Sequence, residues 1–418
     1  MRVALISTGT ELLLGDVQEA HLPFIAREIF PLGLRIAEQQ TLPDGPAIKD
    51  ALIEIFLRAE IVFVTGGLGP TTDDLTCEIA AEVLGLELVR DEQVMASISE
   101  RFAQRGFKLT RRVERQALIP KGAKAFLNEN GTAPGIYLQR NVNPGVSSPH
   151  LFLLPGPPRE LRPMFRQSVM PVLREIVPVR AGIEHRSYKI AGMGESLVEE
   201  AIGEKVLAIP EIELGYCARP GEVDVRIIGP TSSVERVDTI IRSALRSSIF
   251  SVDDKELEEV LVELLLKNRQ TLALAESCTG GLLANRITNV PGASEVFLAG
   301  YVTYANQAKI DVLQFDPKLI DDHGAVSEEV ASAMAEGARI RAGSSYALST
   351  TGIAGPSGGS VQKPVGTVYV ALAGPDKTSV RGFFFPNDRE TFKQLVAQAA
   401  FDLLRRKLIA LEDGRDAS

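Results

Sequence analysis

Two stretches of the chain carry side chains whose types and spacing can do chemistry. The first, AESCTGGLLA (275–284), sets two nucleophiles, Ser277 and Cys278, side by side ahead of Gly280 and Gly281. The apolar run TLALAE before it and the apolar spacing after it read as strand, turn and helix. Ser277 then falls at the strand end, where a side chain can stand above a sheet, and the glycines allow close approach. A serine needs a base. His21, His150 and His185 lie outside this region, and His323 sits in DDHGAVS, which reads as a surface turn. A lysine can serve instead: VTYANQAK (302–309) offers Tyr304 and Lys309, with Asn306 between. An ordinary lysine titrates near about 10.4, so desolvation must lower it by roughly 3 units, about 4 kcal/mol, before it accepts a proton near neutrality. Cys278 is the rival nucleophile, but a cysteine wants a histidine or other activating neighbour, and the motif has none. A third piece, STTGIAGPSGGSVQKPVGTV (349–368), reads as strand, glycine-rich loop and strand, with Gly352 and Gly355 among the residues able to turn amides toward an oxyanion or phosphate.

The second stretch, VTGGLGPTTDDLTCE (64–78), follows a strand and precedes a helix. Gly66, Gly67 and Gly69 let backbone amides approach a ligand, the helix N-terminus favours a phosphate, and Thr71, Thr72 and Thr76 add hydroxyls. Asp73 and Asp74 repel a phosphate unless a divalent cation lies between, and Glu11 and Asp16 from the first strand's loop can complete such a metal site. The spacing is neither a Walker A motif nor GxGxxG.

These sites need elements to hold them. VALIS (3–7), IVFVT (61–65) and LFLLP (151–155) read as buried strands, with helical patterns at 47–59 and 74–84 between them. Such alternation implies a parallel sheet covered on both faces, with ligands at the carboxyl ends of its strands. MPVLREIVPVRAG reads as a boundary. Residues 180–250 then run strand, helix, strand, strand, helix, a small α+β module of balanced charge. FSVDDK opens a third unit in which Asp254 can cap the helix KELEEVLVELLLKN. Strands are expected at 271–275, 296–303, 345–350 and 366–373, and the tail LEDGRDAS reads as frayed.

A chain of 418 residues with 45% hydrophobic residues has room for two or three domains. No apolar run is long enough to cross a bilayer, and MRVALISTGTELLLGD reads as a first strand rather than a signal peptide. Cys77, Cys217 and Cys278 are scattered and odd in number, which points to a reducing cytoplasm. A net charge of −9 argues against nucleic-acid binding, and RRVERQ (111–116) reads as a solvated helix face.

GTELLLG, GGLGPTTDDLT, GTAPG (131–135) and LPGPPREL (154–161) resemble the N-terminal domain of the competence/damage-inducible CinA family, which is similar to the molybdopterin-binding fold. That resemblance implies a metal-dependent ADP-ribose pyrophosphatase releasing AMP and ribose 5-phosphate, with Asp74 at a metal–nucleotide site. Where the family carries a VNTN-like stretch, this chain has VQEAH (17–21), so Gln18 and His21 stand at positions expected to touch the ligand. AESCTGG, VTYANQAK, GAVS (324–327) and TGIAGPSGG…KPVGTV resemble, in order, the family's C-terminal nicotinamide mononucleotide (NMN) deamidase domain. This implies hydrolysis of NMN to nicotinate mononucleotide and ammonia, with Ser277 as nucleophile and Tyr304 and Lys309 activating it. Substrate contacts are then expected from Thr279, Gly280, Asn306, Gly352 and Gly355, with Arg389 gripping the 5′-phosphate.

The organisation implied is α/β in three domains: a molybdopterin-binding-like sheet at 1–175, a small α+β, KH-like module at 178–250, and an α/β deamidase domain at 254–414. A cytoplasmic, bifunctional salvage enzyme follows, homodimeric by resemblance, with a divalent metal in the first domain and no cofactor in the third. Two other functions are carried alongside it: binding of a pterin or another nucleotide by the first domain, and a non-catalytic role in DNA uptake or recombination.

Overall fold

A computed structural model describes residues 1–104, 106, 109–178 and 182–412; of the tail expected to fray, Leu411 and Glu412 end the last helix, Arg389–Glu412, and the rest lies outside the described residues. The chain forms two compact units, 1–181 and 182–418.

In the first unit, β1 (Val3–Thr8) is flanked by β2 (Ile36–Leu42) and β3 (Ile61–Thr65). A two-stranded ribbon of β4 (Leu88–Arg90) and β5 (Leu118–Pro120) stands apart, and β6 (Lys124–Phe126), β7 (Gly135–Leu138) and β8 (His150–Leu154) complete the sheet in the order β2-β1-β3-β8-β7-β6. The expectation of a parallel sheet needs correction: β2, β1, β3 and β8 are parallel, but β7 and β6 run antiparallel. The physical reason is the short link between β6 and β7, which a hairpin can close and a parallel crossover cannot.

The strands are buried on both faces because consecutive side chains serve opposite cores. Val3, Leu5, Phe63 and Phe152 pack with Phe24 and Phe165, while Ala4, Ile6, Val64 and Leu153 pack with Ile48, Leu52 and Ile79. The carboxyl ends of β1 and β3 feed α1 (Thr10–Leu14) and, through the glycine-rich loop, a helix over Thr76–Leu84. Between them lie α2 (His21–Ile29), which ends the VQEAH stretch, and α3 (Ala47–Phe56).

The second unit holds two sheets. β9 (Ile183–Ala191), β10 (Glu213–Arg219), β11 (Glu222–Pro230) and β12 (Ile249–Ser251) form an antiparallel sheet ordered β10-β11-β9-β12, backed by helices Glu195–Leu207 and Thr231–Leu245. The other sheet comprises β13 (Leu272–Glu276), β14 (Phe297–Val302), β15 (Tyr346–Gly352), β16 (Thr367–Ala373) and β17 (Thr378–Phe384), ordered β14-β13-β15-β16-β17. One face of β13 and β15 presents Leu272, Leu274 and Leu348 to a large aliphatic core. The other presents Ala273, Ala275 and Ala347, small enough for the helix Glu328–Ala342 to approach closely.

The cap of the helix opening this region is Glu256, not Asp254. Glu256 and Glu259 form a reciprocal capping box over Leu257–Asn268, and Asp254 sits in the preceding turn at φ 64°. The small sheet and the last helix meet through polar side chains: Gln398 Nε2 donates to Glu222 Oε2 at 2.9 Å, and Gln398 Oε1 accepts from Arg286 Nη2 at 2.9 Å.

Candidate functional site

The turn at Ser277 is built from the glutamate before it. β13 ends at Glu276, whose carboxylate is buried and turns back under the following turn. It accepts from Thr279 Oγ1 at 2.7 Å and from the backbone N–H groups of Gly281, Leu283 and Ala284 at 2.9, 3.1 and 2.9 Å. These are the unpaired donors at the start of the helix Leu282–Thr288, so one anion caps that helix and fixes the turn. The turn closes with Gly280 and Gly281 at φ 62° and 93°, conformations that glycine adopts without strain. Ser277 is anchored by its N–H on the Thr350 carbonyl of β15 at 3.0 Å. Neither the motif's residue types nor their spacing had marked Glu276 as a site residue.

The two candidate nucleophiles follow the strand, in the turn, and both are buried. Cys278 points into the aliphatic core, 5% exposed, and burial pushes its thiol up to about 12. A thiol kept protonated is not a nucleophile at neutral pH. Lys309 is buried at 2% exposure, and its Nζ donates to the Tyr304 carbonyl at 2.8 Å. Burial lowers its ammonium below the ordinary 10.5. Thr303, one residue before Tyr304, donates its N–H to the Glu276 carbonyl at 2.9 Å and joins the lysine's segment to the same turn.

Tyr304 meets the glycine-rich loop through Arg389. Its phenol is half-exposed and accepts from Arg389 Nη2 at 2.8 Å, while Arg389 Nη1 donates to the Gly355 carbonyl at 2.9 Å. Arg389 therefore gathers Tyr304 and the glycine-rich loop at the start of the last helix. Lys363 fastens the loop's far side, its Nζ donating to the His323 and Val326 carbonyls at 2.8 and 2.6 Å. Gly352 ends β15, packed on Val368, and Asn306 is exposed at the start of the helix Asn306–Leu313.

Thr279 is corrected from a ligand contact to part of the frame. It is fully buried, with its hydroxyl between Glu276 Oε2 and Thr350 Oγ1. Lys393, unmarked by the sequence reading, reaches over Gly280, its Nζ 3.9 Å from where a Cβ would stand.

In the first unit the glycine-rich loop lies across the carboxyl ends of β1 and β3. A Cβ on Gly66 would strike the Thr8 carbonyl at 2.4 Å, and one on Gly67 would strike Thr76 Oγ1 at 2.1 Å, so the loop's close approach requires glycine there. Asp74 is turned inward: its Oδ2 accepts from the Thr71 N–H at 2.9 Å and from the Thr71 hydroxyl, and it packs against Gly69. Asp73 is exposed, and the Thr71 hydroxyl holds its carboxyl below the ordinary range. Glu11 folds back on Gly9, and Asp16 is exposed beyond α1.

Asp44, which the sequence reading missed, stands between these groups. Its Oδ2 accepts from the Thr10 N–H at 3.2 Å, and burial raises its carboxyl, with nearby Glu11 and Asp73 adding to the shift. Among the described residues no three His, Cys, Asp or Glu side chains converge to hold a metal by themselves, so Glu11, Asp16, Asp73 and Asp74 do not form one shell. The donor set nevertheless suits a hard cation shared with a ligand, because Mg²⁺ commonly takes one or two carboxylates and completes its shell with phosphate oxygens and water. Asp44, raised by burial and by the charges of Glu11 and Asp73, is the carboxylate such a cation would relieve.

The VQEAH stretch serves the fold. Glu19 Oε1 accepts from the N–H groups of His21 and Leu22 at 2.8 and 3.2 Å and caps α2, and His21 is buried and held neutral by that burial. Gln18 is exposed. RRVERQ is not simply a solvated face. Arg115 donates Nη2 to the Thr71 and Asp74 carbonyls at 3.0 and 2.6 Å, and Gln116 is buried under the loop. The described residues contain no helix long and apolar enough to cross a membrane.

Comparison with known proteins places these features in a family. Residues 4–175 match the family described as a probable molybdopterin binding domain, residues 185–250 the damage-inducible protein CinA KH domain, and residues 254–408 the CinA C-terminal domain. A CinA-like protein of Akkermansia muciniphila is 41% identical over 96% of this chain and 96% of its own. A putative competence-damage inducible protein of Caldanaerobacter subterraneus is 43% identical over 98% of each. The solved CinA superfamily protein from Escherichia coli is 32% identical, covers 38% of this chain and 97% of its own, and superposes with a TM-score of 0.36.

Proposed function

The chain belongs to the competence/damage-inducible CinA family, and from that membership and the geometry above we propose that it is a bifunctional hydrolase of pyridine-nucleotide salvage. The C-terminal site deamidates NMN, and the N-terminal site cleaves ADP-ribose to AMP and ribose 5-phosphate. The protein works in the cytoplasm as a homodimer, and its C-terminal site needs no cofactor.

One observation carries the deamidase reading: a buried lysine, Lys309, bonded to the Tyr304 carbonyl in the segment that Thr303 ties to Glu276 at the Ser277 turn, with the competing thiol shut in the core. Ser277 Oγ attacks the carboxamide carbon while Lys309, in the amine form that its burial favours, takes the hydroxyl proton. The tetrahedral oxyanion collapses, the C–N bond breaks, and Lys309 returns the proton to the leaving nitrogen as ammonia forms. A water then attacks the acyl-serine by the same proton path, releasing nicotinate mononucleotide and restoring Ser277. Arg389, already gathering Tyr304 and Gly355, orients the 5′-phosphate.

For the N-terminal site, Asp44, with Glu11 or Asp73 beside it, would hold a divalent cation jointly with the diphosphate, and the cation would supply charge neutralisation and an acidified water. The Gly66–Gly69 backbone and Thr76 bind the diphosphate oxygens. The match of residues 4–175 to a probable molybdopterin binding domain favours a second reading in which this unit holds a pterin.

The deciding experiment measures ammonia release from NMN and AMP release from ADP-ribose, the latter with and without Mg²⁺ or Mn²⁺. Ammonia release lost in Ser277→Ala supports the deamidase. A wild-type protein that releases none, yet cleaves ADP-ribose, overturns it.

A further inference from the structure

The last helix, Arg389–Glu412, brings a second cation to the Ser277 turn. Arg389 opens this helix and is engaged on both branches, Nη2 with the Tyr304 phenol at 2.8 Å and Nη1 with the Gly355 carbonyl at 2.9 Å. Lys393 stands one helical turn further on, and residues four apart share a helix face. Its neighbours Phe392 and Val396 are fully buried in the aliphatic core, which fixes this part of the helix. Lys393 itself is half-buried and, among the described residues, has neither a hydrogen bond nor an ion pair. Its ammonium lies over Gly280, 3.9 Å from where a Cβ would stand. Gly280 closes the turn, its N–H on the Ser277 carbonyl at 3.1 Å. Apart from the residues adjacent in the turn, no other atom comes within 4 Å of that Cβ position, so the space beside the ammonium is open.

A charge taken partly out of water is ordinarily matched by a partner. This chain has 54 acidic side chains against 45 Lys and Arg, yet none is paired with Lys393. The two carboxylates that flank the turn and the helix are spent elsewhere: Glu276 on its four donors, and Asp388 on the N–H groups of Glu390 and Thr391 at 3.0 Å each. The partner must then come from outside. A phosphomonoester carries about −1.5 to −2 near neutral pH, more charge than one guanidinium already serving two acceptors can balance. We propose that Lys393 is a specificity-determining residue of the C-terminal site: with Arg389 it seats the 5′-phosphomonoester, so that the site selects mononucleotides over nucleosides. The inference rests on the reading that this site binds a pyridine mononucleotide, and adds the charge that recognises its phosphate.

The test is titration calorimetry of the full chain with nicotinate mononucleotide, the product of the proposed reaction, and with nicotinate riboside, which lacks only the phosphate. With two cations each contributing about 10-fold, the wild type prefers the mononucleotide by about 100-fold. Lys393→Met and Lys393→Gln, checked for folding by circular dichroism, lower that preference about 10-fold, with the loss falling on the mononucleotide alone. Lys393→Arg, which keeps the charge, retains the preference within about threefold. Equal wild-type affinities for the two ligands overturn the proposal without any variant, and so does binding of neither. A folded neutral variant that keeps the preference within about twofold, or that loses affinity for both ligands alike, overturns it as well. Ammonia release from NMN, measured on the same preparations, separates the two levels. A preference lost with Lys393 in a protein that releases no ammonia keeps the phosphate seat and removes the reaction, whereas ammonia release with a preference indifferent to Lys393 does the reverse.

Discussion

Replacing Glu276 tests whether the nucleophile's turn is held by a single buried anion. In Glu276→Ala four donors lose their acceptor. Those of Gly281 and Ala284 are only half-buried, so water can replace the carboxylate there, but the Thr279 hydroxyl and the Leu283 N–H are fully buried. The Thr279 hydroxyl can turn to Thr350 Oγ1, so charging the Leu283 N–H alone at about 1–3 kcal/mol gives a loss of about 2 kcal/mol for the C-terminal module. Glu276→Gln keeps the oxygen that serves Thr279, Gly281 and Leu283 and turns an amine toward the Ala284 N–H, for a loss of about 1–2 kcal/mol. Turnover falls further than stability requires, because a misplacement of about 1 Å at a reacting atom can cost about 100-fold. Urea unfolding followed by circular dichroism, beside ammonia release from NMN at a temperature where both variants are folded, reads the two effects separately. An alanine variant that unfolds with the wild type and keeps its kcat within about threefold would falsify the claim that this carboxylate holds the turn.

Other expectations follow from the same geometry. Ser277→Ala abolishes ammonia release and Cys278→Ala keeps it, because the thiol is buried and protonated; a continuous ammonia assay decides between them. Lys309 titrates below its ordinary 10.5 because burial penalises its charge, so the unfolded chain holds the extra proton between the lowered and ordinary values. Stability therefore rises with pH across that window, and Lys309→Met, which removes the penalty, loses turnover without lowering the melting temperature. Arg389→Met raises KM for NMN about 10-fold or more, but leaves KM for the phosphate-free nicotinamide riboside unchanged within about twofold; equal effects on both would remove the phosphate role. Asp44→Asn weakens the Mn²⁺ dependence of ADP-ribose cleavage, read as a higher metal concentration for half-maximal rate.

What the sequence disclosed and concealed follows from where each residue gets its reason. Buried central strands such as VALIS and IVFVT announce themselves because both faces must be apolar. β2, IAEQQTL, and β17, TSVRGFF, are edge strands whose solvent face carries polar residues, and their runs do not stand out. Ser277, Lys309 and the Gly66–Gly69 loop were legible because their motifs are contiguous. Gln116 and Asp44 were not: Gln116 meets Leu68 across 48 residues and Asp44 meets Thr10 across 34, and no local pattern reports such a meeting. Glu276 lay inside a quoted motif and was passed over, because a carboxylate that caps its own following helix leaves only the signal of an acidic residue at a strand end.

The burial of Cys278 also has a bearing on resistance to oxidants. Peroxides, alkylating reagents and mixed disulfides react with thiolate, and this sulfur is held protonated in a closed aliphatic core one residue from Ser277. A hydroxyl as the proposed nucleophile, with its neighbouring thiol shut in the aliphatic core, gives a turn that peroxide stress does not silence. Iodoacetamide and hydrogen peroxide should leave ammonia release intact while labelling the exposed Cys217.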